Sequence, residues 1–177
     1  MYAAANEPSL PVFGAGPIFA IFAFGVSGLS ILLWWSGVFS SGQLTAPLWV
    51  FSLRIIAALL VVLGIFLWVG TVVLGRMVQN IRAGKLMTTG FYAWVRNPLY
   101  AGILLLNCGL LLALANLWVG ALPLLYWWFL TVLLKVTEEK WLLAKFGADY
   151  VAYTHRVNRC WPWFPRRDWQ HAYQCDC

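Results

Sequence analysis

Residues 17–39 contain no charged side chain, residues 48–74 carry only Arg54, and residues 101–134 are again free of charge. Runs of about 20 apolar residues are long enough to cross a bilayer as helices. Hydrocarbon leaves few alternatives, because each backbone N–H or C=O left unpaired there costs several kcal/mol. The third run has room for two short spans. Asn116 suits a helix cap and the Gly120–Pro123 region suits a bend, so the run reads as a tight hairpin. Composition points the same way: the chain is 62% hydrophobic and 10% charged, with 12 Trp, unlike a soluble globular domain. The expected fold is all-α, a polytopic membrane helical bundle of about four spans, or five if the first run or the hairpin divides differently. The first run does not read as a cleaved leader, since it is too long and no Lys or Arg precedes it. A single domain over residues 1–177 is expected: two N-terminal spans (1–75), a cytoplasmic loop (76–100), the hairpin with an acidic helix (101–146), and a cytoplasmic tail (147–177).

Basic residues set the orientation. Arg76, Arg82, Lys85 and Arg96 follow the second apolar run, and Lys135, Lys140, Lys145, Arg156, Arg159, Arg166 and Arg167 follow the last. Both groups fall on one side if the hairpin returns to the face it left, and the positive-inside rule makes that face cytoplasmic. Arg54 alone lies elsewhere, where its long stem can snorkel to the outer interface. The reading is a multi-pass protein of a bacterial inner membrane with its site facing the cytoplasm. The net charge of +6 fits topology and anionic lipid, and no motif for nucleic acid accompanies it. Cys108 reads as packing, and Cys160, Cys175 and Cys177 as reduced thiols. Cys175 and Cys177 near His171 lack a second ligand pair at structural-zinc spacing, so no metal is expected.

A polar, turn-forming block at residues 88–102 interrupts the apolar pattern. Thr88, Thr89 and Gly90 supply turn chemistry after the amphipathic residues 76–86. Pro98 disfavours a helical Asn97 and suits the first turn of the next helix. That helix begins at the membrane face with free N–H groups and its positive dipole end exposed to an anionic group. Tyr92 and Tyr100 add aromatic faces and hydroxyls, and Arg96 adds a fixed charge. The same residues also suit an interfacial aromatic belt.

One helix-length later come Glu138 and Glu139, expected on a helix running on from the last span. Adjacent positions lie about 100° apart on a helix, so one carboxylate is expected to face the bundle and the other water. Lys135 and Glu139 have the spacing of a weak i,i+4 pair.

Three pieces occur in order: Val-Gln-Asn at 78–80, Leu-Met-Thr-Thr-Gly-Phe-Tyr-Ala-Trp-Val-Arg-Asn-Pro-Leu-Tyr-Ala-Gly at 86–102, and Glu-Glu-x-x-Leu-x-x-x-Phe-Gly-x-x-Tyr-x-x-Tyr from Glu138. Together they resemble the isoprenylcysteine carboxyl methyltransferase family and the related membrane phospholipid N-methyltransferases, over roughly residues 78–165. The resemblance implies S-adenosylmethionine as methyl donor. It places the cofactor on Gln79, Gly84, Lys85, Leu86, Met87, Tyr92, Asn97, Pro98, Leu99, Tyr100 and Glu138, with Arg96 beside them. Asn97 stands where the family usually has His, which keeps hydrogen bonding but removes a titratable group. The substrate-holding Arg of the prenyl-protein enzymes falls at Leu134, with Lys135 the nearest base.

These readings combine into an integral membrane methyltransferase whose nucleophilic O, N or S attacks an activated methyl. Positioning and desolvation would then carry catalysis. The acceptor is expected to be an isoprenylcysteine-carboxylate-like or other small lipid reaching the site from the bilayer. Tyr153 and Arg156 are the candidate catalytic side chains, and with Tyr150 they also suit a lid. Two rivals remain: an NADPH-dependent membrane sterol-type reductase, and a non-catalytic membrane protein of the same fold.

Overall fold

The computed structural model describes residues 14–74 and 84–162, and the regular structure among them is helical apart from one isolated bridge between Gln43 and Asn116. Helices α1 (Gly16–Trp35), α2 (Pro47–Val69) and α3 (Pro98–Leu112) each carry Pro in the first turn, where its missing N–H has no partner to lose. A short π turn, Gly70–Leu74, prolongs α2. The chain then runs through α4 (Leu117–Gly120), α5 (Leu122–Val136) and α6 (Glu138–Arg156).

Gly16–Trp35, Pro47–Val73 and Leu117–Val136 are long and apolar enough to cross a membrane, whereas the apolar α3 has 15 residues. At 1.5 Å per residue α3 reaches about 22 Å, against a hydrocarbon core of roughly 30 Å. The bundle is therefore three full spans and one short one. Its outer surface is apolar, with Ile21, Leu59, Val62 and Leu124 all more than half exposed, as lipid-facing positions are. The hairpin forms as the residues suggest. Asn116 Oδ1 accepts from the N–H groups of Trp118 and Val119 at 3.0 and 3.4 Å, capping α4. Its Nδ2 donates to the Phe39 carbonyl at 2.6 Å, and the Leu44 N–H donates to the Ala115 carbonyl at 2.9 Å. These bonds tie the α1–α2 and α3–α4 turns together at one end of the bundle.

The centre is held by a close antiparallel crossing of α2 and α3. A Cβ on Gly64 would lie 2.7 Å from the Gly102 carbonyl oxygen, and one on Gly109 would lie 2.6 Å from the Ala57 carbonyl oxygen. Small residues permit this backbone approach, which replaces the hydrophobic drive that lipid cannot supply. A second tie is polar. Ser27 donates to Asn107 Oδ1 at 2.8 Å and lies 2.9 Å from the Tyr126 hydroxyl, linking α1, α3 and α5 in a fully buried cluster.

One expectation is corrected between α5 and α6. The helix does not continue from the last span: Thr137 takes φ −111° and ψ −86°, and its hydroxyl donates to the Leu133 carbonyl at 2.6 Å. Glu138 and Glu139 therefore open a new helix, where its positive dipole end favours acidic side chains. Further along, Gly147 bends α6 with φ 50° and ψ −121°.

Candidate active site

The N-termini of α1, α3 and α6 converge on the carboxylate of Glu138. The Ala15 N–H, entering α1, donates to Glu138 Oε1 at 2.9 Å. The Tyr100 hydroxyl, in the first turn of α3, donates to the same oxygen. Among the described residues no donor reaches Oε2. Burial raises the carboxyl above its ordinary range, while the Tyr100 and Ala15 bonds pull it back.

This carboxylate forms one wall of a cavity of about 120 Å³. Lys85, Leu86 and Met87 line it from the loop before Gly90. Tyr92, Arg96, Asn97, Pro98, Leu99 and Tyr100 line it from the turn and the start of α3. The structure thus gathers ten of the expected cofactor residues, Glu138 among them, around one space. Gly84 stands apart from the lining, in a left-handed conformation (φ +64°) beside the Lys145 amine. Gln79 lies outside the described residues, as do Cys175, Cys177 and His171.

The fourth wall comes from α6. Glu138, Leu142, Phe146 and Tyr150 are spaced four apart and all face the cavity, with Tyr153 beyond the Gly147 bend. That row was legible in the sequence as an i, i+4 stripe running from an acid, yet Leu142 and Phe146 were not expected at the site. Tyr153 anchors the turn as well: its hydroxyl donates to the Tyr92 carbonyl at 2.6 Å. Burial, then the Glu138 charge, pushes the Tyr92 hydroxyl up to about 12, so it stays a hydrogen-bond donor at neutral pH. Arg156 is half-buried and does not line the cavity. Leu134 is fully buried in the core between helices, and Lys135 is exposed; neither reaches the cavity.

Glu139 corrects a second expectation, because it does not face water. Arg159 holds it with two bonds, Nε to Oε1 at 2.5 Å and Nη2 to Oε2 at 3.0 Å. Arg96 Nη1 lies 3.5 Å from Oε1. The Arg96 side chain is only 9% exposed, and its Nε is buried with no hydrogen-bond partner. The backbone doubles this tie: the Arg96 N–H donates to the Asn158 carbonyl at 2.8 Å, and Asn97 Nδ2 donates to the Arg159 carbonyl at 3.2 Å. Glu139 raises the Arg159 guanidinium further, and burial raises the Tyr150 hydroxyl beside it. The tail after α6 thereby clasps the turn that carries Tyr92, Arg96 and Asn97.

A second, apolar cavity of about 450 Å³ lies on the reverse of the same turn. Phe91, Trp94 and Gly90 line it with Leu63, Phe66 and Leu67 of α2 and Pro162. The turn therefore presents Phe91 and Trp94 to an apolar groove and Tyr92 and Arg96 to the cavity beside Glu138.

The described residues offer no group of three His, Cys, Asp or Glu side chains that could hold a metal. The lining of the cavity beside Glu138 instead sets a half-buried carboxylate, a guanidinium and tyrosine rings among apolar side chains. Such a set suits a ligand that carries both a cation and an anion. The sequence profile of the family described as phospholipid methyltransferase matches residues 42–149, from the α1–α2 turn into the second half of α6. Comparison with curated proteins and with solved structures gives no match.

Proposed function

Since the chain belongs to the phospholipid methyltransferase family, we propose that this membrane methyltransferase takes its methyl group from S-adenosylmethionine in the cavity beside Glu138. The observation that carries this reading is the pairing, in the lining of one cavity, of Glu138, whose Oε2 meets no described donor, with the Arg96 guanidinium. The donor molecule is zwitterionic at its amino-acid end. Glu138 would accept from its amino group, Arg96 would donate to its carboxylate, and the Tyr92 ring and Leu142 would pack against its apolar parts. When bound, it supplies an already activated methyl carbon. The residues of this chain then contribute orientation and exclusion of water. Glu138 belongs at the amino-acid end, because a carboxylate held against the sulfonium would stabilise a charge that the reaction removes.

A lipophilic acceptor is supported by the apolar groove on the other face of the turn, next to the lipid-exposed Phe66. An acyl or prenyl chain in that groove would lie against Phe91 and Trp94, with the turn between it and the cavity beside Glu138. Leu134, the position for a substrate-holding base in the prenyl-protein enzymes, is apolar and sealed in the core. A small lipid without a carboxylate therefore fits better than an isoprenylcysteine. The basic residues that follow α2 and α5 favour a cytoplasmic orientation for the site.

The test is binding of S-adenosylhomocysteine to the detergent-solubilised protein, with NADPH as comparison. Transfer of labelled methyl into a total lipid extract follows as the second step. A melting shift with adenosylhomocysteine and a labelled lipid are expected. Stabilisation by NADPH alone would move the chain toward a reductase, and no response to either ligand would leave a membrane protein without this chemistry.

A further inference from the structure

We propose that the Gly14–Ala15 turn at the start of α1 is a positioning element of the cofactor site, acting through Glu138. Glu138 Oε1 receives both the Ala15 N–H and the Tyr100 hydroxyl, while no described donor reaches Oε2. One oxygen is thus committed to the protein and the other is presented to the cavity. Gly14 makes this arrangement possible. Its φ is +48°, and a Cβ built there would lie 2.0 Å from Oε1 and 2.9 Å from Cδ of Glu138. No other residue type at position 14 leaves room for the carboxylate where it stands.

The contact joins residues 123 apart in sequence. It also comes from outside the family match, which begins at residue 42. The first span is therefore more than a membrane anchor: its opening turn fixes the rotamer of an acid that the matched region supplies. Preorganising one charged group in this way removes an ordering step from binding.

The inference rests on reading the cavity as a cofactor site, so its test has one arm without ligand. In that arm, Gly14→Ala lowers the melting temperature of the full-length protein in detergent, and lowers it clearly less in a Glu138→Ala background. Equal losses in both backgrounds would overturn the contact, whatever the protein binds. In the second arm, Gly14→Ala weakens adenosylhomocysteine at least tenfold and moves the low-pH edge of binding upward, because Glu138 loses two bonds that favour its charged form. Gly37→Ala is the control, since Gly37 has φ +83° but open space around its Cβ. It shares the backbone strain without touching the site, so it binds like wild type. If Gly14→Ala binds within twofold of wild type, or the two variants weaken binding equally, the positioning role is wrong. A wild type that binds no adenosylhomocysteine refutes the cofactor reading and the ligand role of this turn, and the first arm still decides the contact.

Discussion

Glu139 and Arg159 form a two-bond ion pair, at 2.5 and 3.0 Å, that joins the start of α6 to the tail beyond its end. Arg96 makes the pair a triad, so the acid next to Glu138 belongs to the frame of the site. The two carboxylates divide the work by geometry: one presents an oxygen to the cavity, and the other fastens the wall.

Removing Glu139 leaves the Arg96 and Arg159 guanidiniums without their shared counter-charge, and removing Arg159 leaves Glu139 with only the 3.5 Å contact to Arg96. Glu139→Gln and Arg159→Ala are each expected to destabilise the protein by about 2 kcal/mol, below the 3–5 kcal/mol of a fully buried pair, because these side chains keep 18% and 23% exposure. The double variant should be little worse than either single one. Thermal or denaturant unfolding in detergent measures this, and additive losses would show that the pair does not couple.

Glu138 should behave in the opposite sense. Its carboxyl is raised by burial, so the folded, unliganded protein holds that proton more tightly than the unfolded chain does. The stability it contributes is complete below the ordinary value of 4.5 and is lost as pH rises through the raised folded value. Glu138→Gln is therefore expected to melt higher than wild type near pH 7, with the difference vanishing toward pH 4, while adenosylhomocysteine binding is lost. A variant that melts lower than wild type at pH 7 would contradict this assignment.

The turn itself gives a third expectation. Asn97 Nδ2 donates to the Arg159 carbonyl and Tyr153 donates to the Tyr92 carbonyl, so both side chains fasten the backbone of the site. Tyr153→Phe should weaken adenosylhomocysteine about three- to tenfold, the equivalent of one hydrogen bond of about 1 kcal/mol. It should also speed proteolysis or hydrogen exchange at residues 90–97. Asn97→His keeps a donor and should bind better than Asn97→Ala. Indistinguishable binding in those two variants would show that the bond to Arg159 does not support the cavity.

What was legible in the sequence follows a physical pattern. Long charge-free runs announce spans because lipid forbids charge, and Asn116 and Pro98 announce helix starts because cap and ring chemistry act locally. Motif order singles out Glu138, while the i+4 row from it to Leu142 and Phe146 carries no marker of its own in the sequence beyond that spacing. The break at Thr137 had no Gly or Pro to mark it. A continuous helix was therefore expected, and Glu139 was turned toward water. Contacts such as Gly14 to Glu138 or Ser27 to Asn107 and Tyr126 join residues far apart in sequence. No periodicity encodes them, and only the assembled bundle brings them together.

The close crossing of α2 and α3 gives the last expectation, because it sets where Pro98 and Tyr100 sit. A Cβ at Gly102 would lie 2.8 Å from the Gly64 carbonyl oxygen and 2.9 Å from the Trp68 backbone nitrogen, and Gly109 is as tightly faced. These neighbours are backbone atoms that a rotamer change cannot move. Gly102→Ala and Gly109→Ala should therefore each destabilise the bundle by about 1–3 kcal/mol, the usual range for overpacking. Gly120, at the end of α4, meets nothing within 4 Å of its would-be Cβ. Gly120→Ala should be neutral or slightly stabilising, by up to about 1 kcal/mol, through helix propensity. Equal tolerance of all three substitutions in detergent melting would mean that the two helices do not meet at these glycines.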